Sequence, residues 1–201
     1  MEVITMKLLG EFYNSMKMPN STLLSAISVA IPAALVLLLP FAAMLFTGEV
    51  NWSFFDFIFA WTLLFGAGFT YRMVARKMDN ITYRAAVGVA VGTALFLVWA
   101  NLAVGLIGSE DNPANWMYVG VLSVGFLGAI IARLQPKGMS RVLFAMAFAH
   151  VLIVVIALIA RLHLSPVSSV VEILGVNGFF AVLWSASALL FRNAGMEQAK
   201  P

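Results

Sequence analysis

Apolar residues in this chain do not alternate with polar ones; they come in long runs broken by short polar interruptions. A run of about 20 apolar residues suits an α-helix crossing the ~30 Å hydrocarbon core of a bilayer at ~1.5 Å per residue. The runs predict six such helices, over about residues 22–46, 53–74, 85–107, 113–134, 141–162 and 166–191. The expected fold class is therefore all-α: a polytopic membrane protein with one six-helix domain over 21–192, an N-terminal segment 1–20 and a tail 193–201. Within residues 2–18, Ile4, Leu8, Leu9, Phe12, Tyr13 and Met16 fall on one helical stripe. That segment is too polar to span and is expected as an amphipathic helix in the cytoplasmic headgroup layer.

The interruptions carry the start and stop signals. In Asn101–Asn115 one apolar run stops at Gly108 and Ser109, an acidic loop follows, and the next run restarts with Asn112 as N-cap and Pro113 as first helical residue. Ser53-x-x-Asp56 has capping-box spacing, and Ser165-Pro166 repeats the cap-then-proline signal for the sixth helix. Gln135-Pro136-Lys137-Gly138 reads as a turn. Pro32 and Pro40 predict a kinked first span. Gly88 and Gly92 in the third span, with Gly120, Gly125 and Gly128 in the fourth, predict that these two pack tightly.

Composition sharpens the picture in two ways. Hydrophobic residues make up 62% of the chain and charged residues 10%, against roughly 25% charged in a soluble domain, so a soluble fold is excluded. Charge then orients the helices: Arg72, Arg76, Lys77, Arg84, Arg133, Lys137, Arg141 and Arg192 fall on one side, and Glu110 and Asp111 on the other with no nearby Lys or Arg. By the positive-inside rule the termini are expected in the cytoplasm and the 109–112 tip outside, in the inner (plasma) membrane of a bacterium. Only Arg161 falls on the wrong side. The formal charge of +3 follows from this topology and does not imply nucleic acid. With no cysteine, disulfides, thiolate metal sites and cysteine nucleophiles are absent.

Few polar groups are left to carry chemistry. Counting inward from the expected helix ends puts Thr62, Thr93, Ser123 and His150 near the midplane, as a candidate polar layer. His150 is the one ionisable group at that depth, suited to relay a proton, ligate a metal or haem, or act as a base; the stronger expectation is that it joins helices as a neutral imidazole bonded to Ser123 or Thr93. Ser123 beside His150 invites comparison with a serine nucleophile, but Gly120-Val-Leu-Ser123-Val-Gly125 is not a nucleophile elbow. His163, thirteen residues on, is too far round the helix to share an iron with His150. At the outer face, Asp56, Asn101, Glu110, Asp111 and Glu172, with Glu49 nearby, form a candidate site for a hard cation or cationic solute, although loop solvation and capping also account for the acids. No catalytic residue, metal ligand or cofactor is assigned. The expected partners are the lipid bilayer and a membrane protein or a second copy of the chain. The function expected is a non-enzymatic accessory or interaction protein; a small-solute or ion transporter or channel comes second, and an intramembrane enzyme using His150 third.

Overall fold

The computed structural model describes residues 23–47, 51–162 and 168–199, and among these it is helical with no strand. The helices are α1 (Leu23–Phe46), α2 (Phe54–Ala75), α3 (Ile81–Ala103), α4 (Trp116–Ile131), α5 (Pro136–Ile159) and α6 (Val170–Glu197). One 3-10 turn, Pro113–Asn115, leads into α4, and with it all six are long and apolar enough to cross a membrane. The expected surface helix over 2–18, Glu49, His163 and the Ser165-Pro166 signal lie outside the described residues.

Side chains set most of the helix starts. At α2 the box closes: the Ser53 N–H donates to Asp56 Oδ2 at 2.6 Å, and the Asp56 N–H donates back to Ser53 Oγ at 3.4 Å. Asn80 caps α3 by accepting from the Tyr83 N–H at 2.8 Å, so this helix starts at Ile81 rather than near Ala85. It also stops earlier, at Ala103, because Gly105 and Gly108 take φ of +68° and +74° and turn the chain into the hairpin tip. Asn112 Oδ1 accepts from the Ala114 N–H at 2.9 Å, with Pro113 as the first residue of the 3-10 turn.

Pro136 is a correction to the sequence reading. It opens α5 instead of sitting in a turn, since its missing N–H and fixed φ suit a first helical residue. Gly138 is needed for contact rather than for turning: a Cβ there would fall 2.7 Å from the Ala132 Cβ. For α6 the described start is Val170, where Ser169 and Glu172 form a capping box, and the helix continues past Phe191 to Glu197. In α1 one turn residue, Leu37, interrupts the helix; Pro40, three residues later, lacks the N–H that would bond the Val36 carbonyl. Pro32 leaves the helix unbroken.

Two compact units divide the chain between Arg72 and Met73. In the first, α1 and α2 meet where Gly68 faces Val29 so closely that a Cβ would fall 2.6 Å from Val29 Cγ1. Phe41 and Phe57 meet edge to face at 6.3 Å, and Trp61, Phe65 and Phe69 stack along α2. In the second unit the spatial order is α3, α6, α5, α4. The expected tight pairing of the third and fourth spans is not found, since α3 and α4 touch only lightly. The α4 glycines face α5 instead: a Cβ at Gly125 would fall 2.8 Å from Met146 Sδ, and one at Gly128 2.5 Å from Val142 Cγ1. Gly92 of α3 and Gly120 of α4 face open space.

Each end of this unit is laced by hydrogen bonds. At one end Tyr83 donates its hydroxyl to the Leu134 carbonyl at 3.0 Å, and Asn80 and Thr82 donate to the two Glu197 carboxylate oxygens at 2.8 and 3.2 Å. Arg133 and Leu134, in the turn between α4 and α5, take φ of 50° and 59°, a strained pair for residues other than glycine. At the other end Asn115 Oδ1 accepts from the Leu106 and Ile107 N–H groups, each at 3.0 Å, and Ser168 Oγ accepts from the Gly108 N–H.

Candidate functional site

The most polar spot in the core of the second unit is built on three helices. His150 of α5, Asn177 and Trp184 of α6, and Tyr118 of α4 are each at most 1% exposed. Asn177 lies seven residues in from Val170, ~10 Å along the axis, where an unpaired amide would be expensive. Helical spacing puts Ile173, Asn177, Phe180, Trp184, Ser187 and Phe191 on one inward face of α6.

The protons can be assigned from donor inventory. Trp184 Nε1–H can only donate, and it points at His150 Nε2 at 3.2 Å. That nitrogen must accept, so the ring is neutral with its proton on Nδ1, which donates to Asn177 Oδ1 at 3.0 Å. The Asn177 amide donates to the Ile173 carbonyl at 2.9 Å and to the Tyr118 hydroxyl at 3.1 Å. The Tyr118 O–H turns back to Asn177 Oδ1 at 3.3 Å. Every side-chain polar atom in the group has a protein partner.

Aromatic rings enclose the imidazole. Phe180 stacks on it at 5.5 Å with planes 15° apart, and Tyr118 lies 5.7 Å away. Phe96 of α3 extends the packing to Phe180 at 5.6 Å, so all four helices of the unit meet around His150. A proton relay needs each member to accept as well as donate, and this chain fails on both sides of the imidazole. The indole N–H cannot accept, and an amide does not exchange its proton readily. What the arrangement does well is fix three helices in one register.

Within the second unit, Ser123 and Thr93 of the expected midplane layer do not bond His150. Ser123 is exposed and returns its hydroxyl to the Val119 carbonyl at 2.8 Å. Thr93 is buried, but its hydroxyl goes to its own helix, to the Val89 carbonyl at 2.7 Å. Thr62, in the first unit, bonds the Ile58 carbonyl at 2.8 Å. The physical reason is shared: a hydroxyl one turn from a free carbonyl lone pair is satisfied within its own helix, whereas an amide or imidazole reaches further. Asn177, Tyr118 and Trp184 supply the contacts that the sequence reading gave to Ser123 and Thr93.

Among the outer-face candidates, Asn101, Glu110 and Asp111 line one open cavity of about 330 Å³ at the hairpin tip, with Asn115 and Trp116. Asn101 Nδ2 donates to the Asn115 carbonyl at 3.4 Å, while its Oδ1 is buried without a partner among the described residues. Glu172 does not line it; Glu172 serves the capping box at the start of α6, as Asp56 does at the start of α2. Among the described residues no three His, Cys, Asp or Glu side chains converge as metal ligands would. No family model, curated protein or solved structure matches this chain.

Proposed function

We propose that this chain is a multi-pass protein of the inner (plasma) membrane that acts as a non-enzymatic accessory or interaction protein, with the hairpin tip outside and both termini in the cytoplasm. One observation carries the reading: the His150 imidazole, buried in the core of the second unit, is closed off by Trp184, Asn177 and two aromatic rings. A group whose lone pair and proton are both committed inside a packed bundle supports helix registration better than solute handling. The gathering of Arg84, Arg133, Lys137, Arg141 and Arg192 at the end opposite the tip supports the orientation.

The absence of native cysteine allows a clean test. Ala147→Cys, one turn from His150, is treated in membranes with a small water-soluble thiol reagent. A closed bundle leaves it unlabelled until the protein is unfolded, while labelling in the native membrane would overturn the reading. The mass of the unlabelled protein in mild detergent should then exceed that of one chain plus its detergent and lipid. A lone chain would refute the interaction role.

A second reading, uptake or passage of a cationic solute, draws on the cavity at Asn101, Glu110 and Asp111. It requires solute flux in reconstituted vesicles that Glu110→Gln with Asp111→Asn abolishes.

A further inference from the structure

The exposed face of α5 changes character along its length. Lys137, Arg141, Phe144, Phe148, Leu152 and Val155 are all exposed and follow one another at steps of three or four residues, which places them on one stripe. Its first two positions, one turn apart, are cationic, and the rest are apolar. Neither Lys137 nor Arg141 makes an ion pair with a described residue. Glu197, a carboxylate at the same end of the unit, is already taken by Asn80 and Thr82. From Arg141 to Leu152 the stripe runs ~16 Å along the axis, about the depth of one leaflet of a ~30 Å hydrocarbon core.

We propose that this stripe binds one anionic phospholipid, with its phosphate between Lys137 and Arg141 and an acyl chain along Phe144, Phe148 and Leu152. The proposal rests on the membrane reading above and names a partner for it. Charge selects the headgroup: two cations paired with no described carboxylate favour a net negative lipid over a zwitterionic one, whose own ammonium already balances its phosphate. The apolar continuation selects a lipid over a free anion, which has nothing to lay along Phe144 and Phe148. Arg84 on α3 and Arg192 on α6 are also exposed, but neither has a second cation one turn away on its helix.

The full chain is reconstituted into vesicles of equal phosphatidylglycerol and phosphatidylcholine, re-extracted in mild detergent, and its retained lipid measured by mass spectrometry. The native sequence should retain phosphatidylglycerol in excess. Lys137→Gln with Arg141→Gln should cut that excess by about fivefold for each charge removed, while Lys137→Arg with Arg141→Lys should preserve it. Arg84→Gln with Arg192→Gln removes equal charge and should leave the excess unchanged. Thermal unfolding of each variant checks that the fold is intact.

Absence of any excess, an equal loss in both neutralised pairs, or displacement of the lipid by inorganic phosphate would each overturn the site. Flotation with the vesicles separates the two levels of the argument. A chain that floats with neither lipid overturns the membrane reading and the proposal with it, whereas one that floats but shows no excess overturns the proposal alone.

Discussion

Asn177→Leu is the sharpest perturbation of the buried polar chain, because it keeps the bulk of the side chain while removing both polar atoms. Two donors are stranded: His150 Nδ1–H loses its acceptor at 3.0 Å, and the Tyr118 O–H loses the oxygen at 3.3 Å. The Ile173 carbonyl loses only the extra bond from the amide. A buried donor left unmatched costs about 1–3 kcal/mol, and interhelical bonds in membrane proteins average about 0.6 kcal/mol with a ceiling near 1.7. Two stranded donors between those bounds give about 2–3 kcal/mol. Reversible unfolding in mixed detergent micelles measures it, and His150→Phe supplies the second arm of a double-mutant cycle. Once Asn177 is leucine, His150→Phe removes an orphan N–H, so the double variant should be more stable than the two single losses predict, by about 1 kcal/mol. A loss below about 0.5 kcal/mol for Asn177→Leu, or additivity within that margin, would refute the claim that the chain holds the helices together.

Gly128→Ala should destabilise the α4–α5 pair by about 1–3 kcal/mol, since its Cβ would lie 2.5 Å from Val142 Cγ1, and Val142→Ala should recover much of the loss in the same unfolding assay. Asn115→Ala frees the Leu106 and Ile107 N–H groups from Asn115 Oδ1, so hydrogen exchange at those amides should accelerate by tenfold or more at a cost of about 2 kcal/mol. Unchanged exchange would mean the loop has another anchor. Reporters fused after Lys200 and within 109–112 should report opposite sides of the membrane, and the same side for both would defeat the six-helix topology.

What the sequence revealed follows from how local the physics is. Ser53 with Asp56 and Asn112 with Pro113 could be read because each is settled within one turn of helix. Pro136 belongs to the same category and was misread because Gly138 beside it imitates a turn, whereas its actual partner, Ala132, lies just past the end of the preceding helix. The pairing of α4 with α5 instead of α3 was out of reach for a related reason: glycines announce close approach but not the helix approached. His150 stood out as an ionisable group at depth. Its partners did not, although the same count inward that picked Thr93 and Ser123 reaches Asn177; what misled was weighting hydroxyls, which bond their own helix, above an amide that cannot rest there alone.

Spatial order and chain order disagree in the second unit: α6 follows α3, α4 and α5 in sequence yet packs between α3 and α5. During synthesis α4 and α5 can zip together through Gly125 and Gly128 as soon as both have emerged. Until α6 arrives, α3 lacks its main neighbour, the Ala86 carbonyl lacks the Ser187 hydroxyl, and His150 lacks both of its partners. A chain made in this order has an open seam lined by unmatched polar groups until α6 is in place. Because α6 alone supplies the partners of both flanking helices, it is the keystone of this unit.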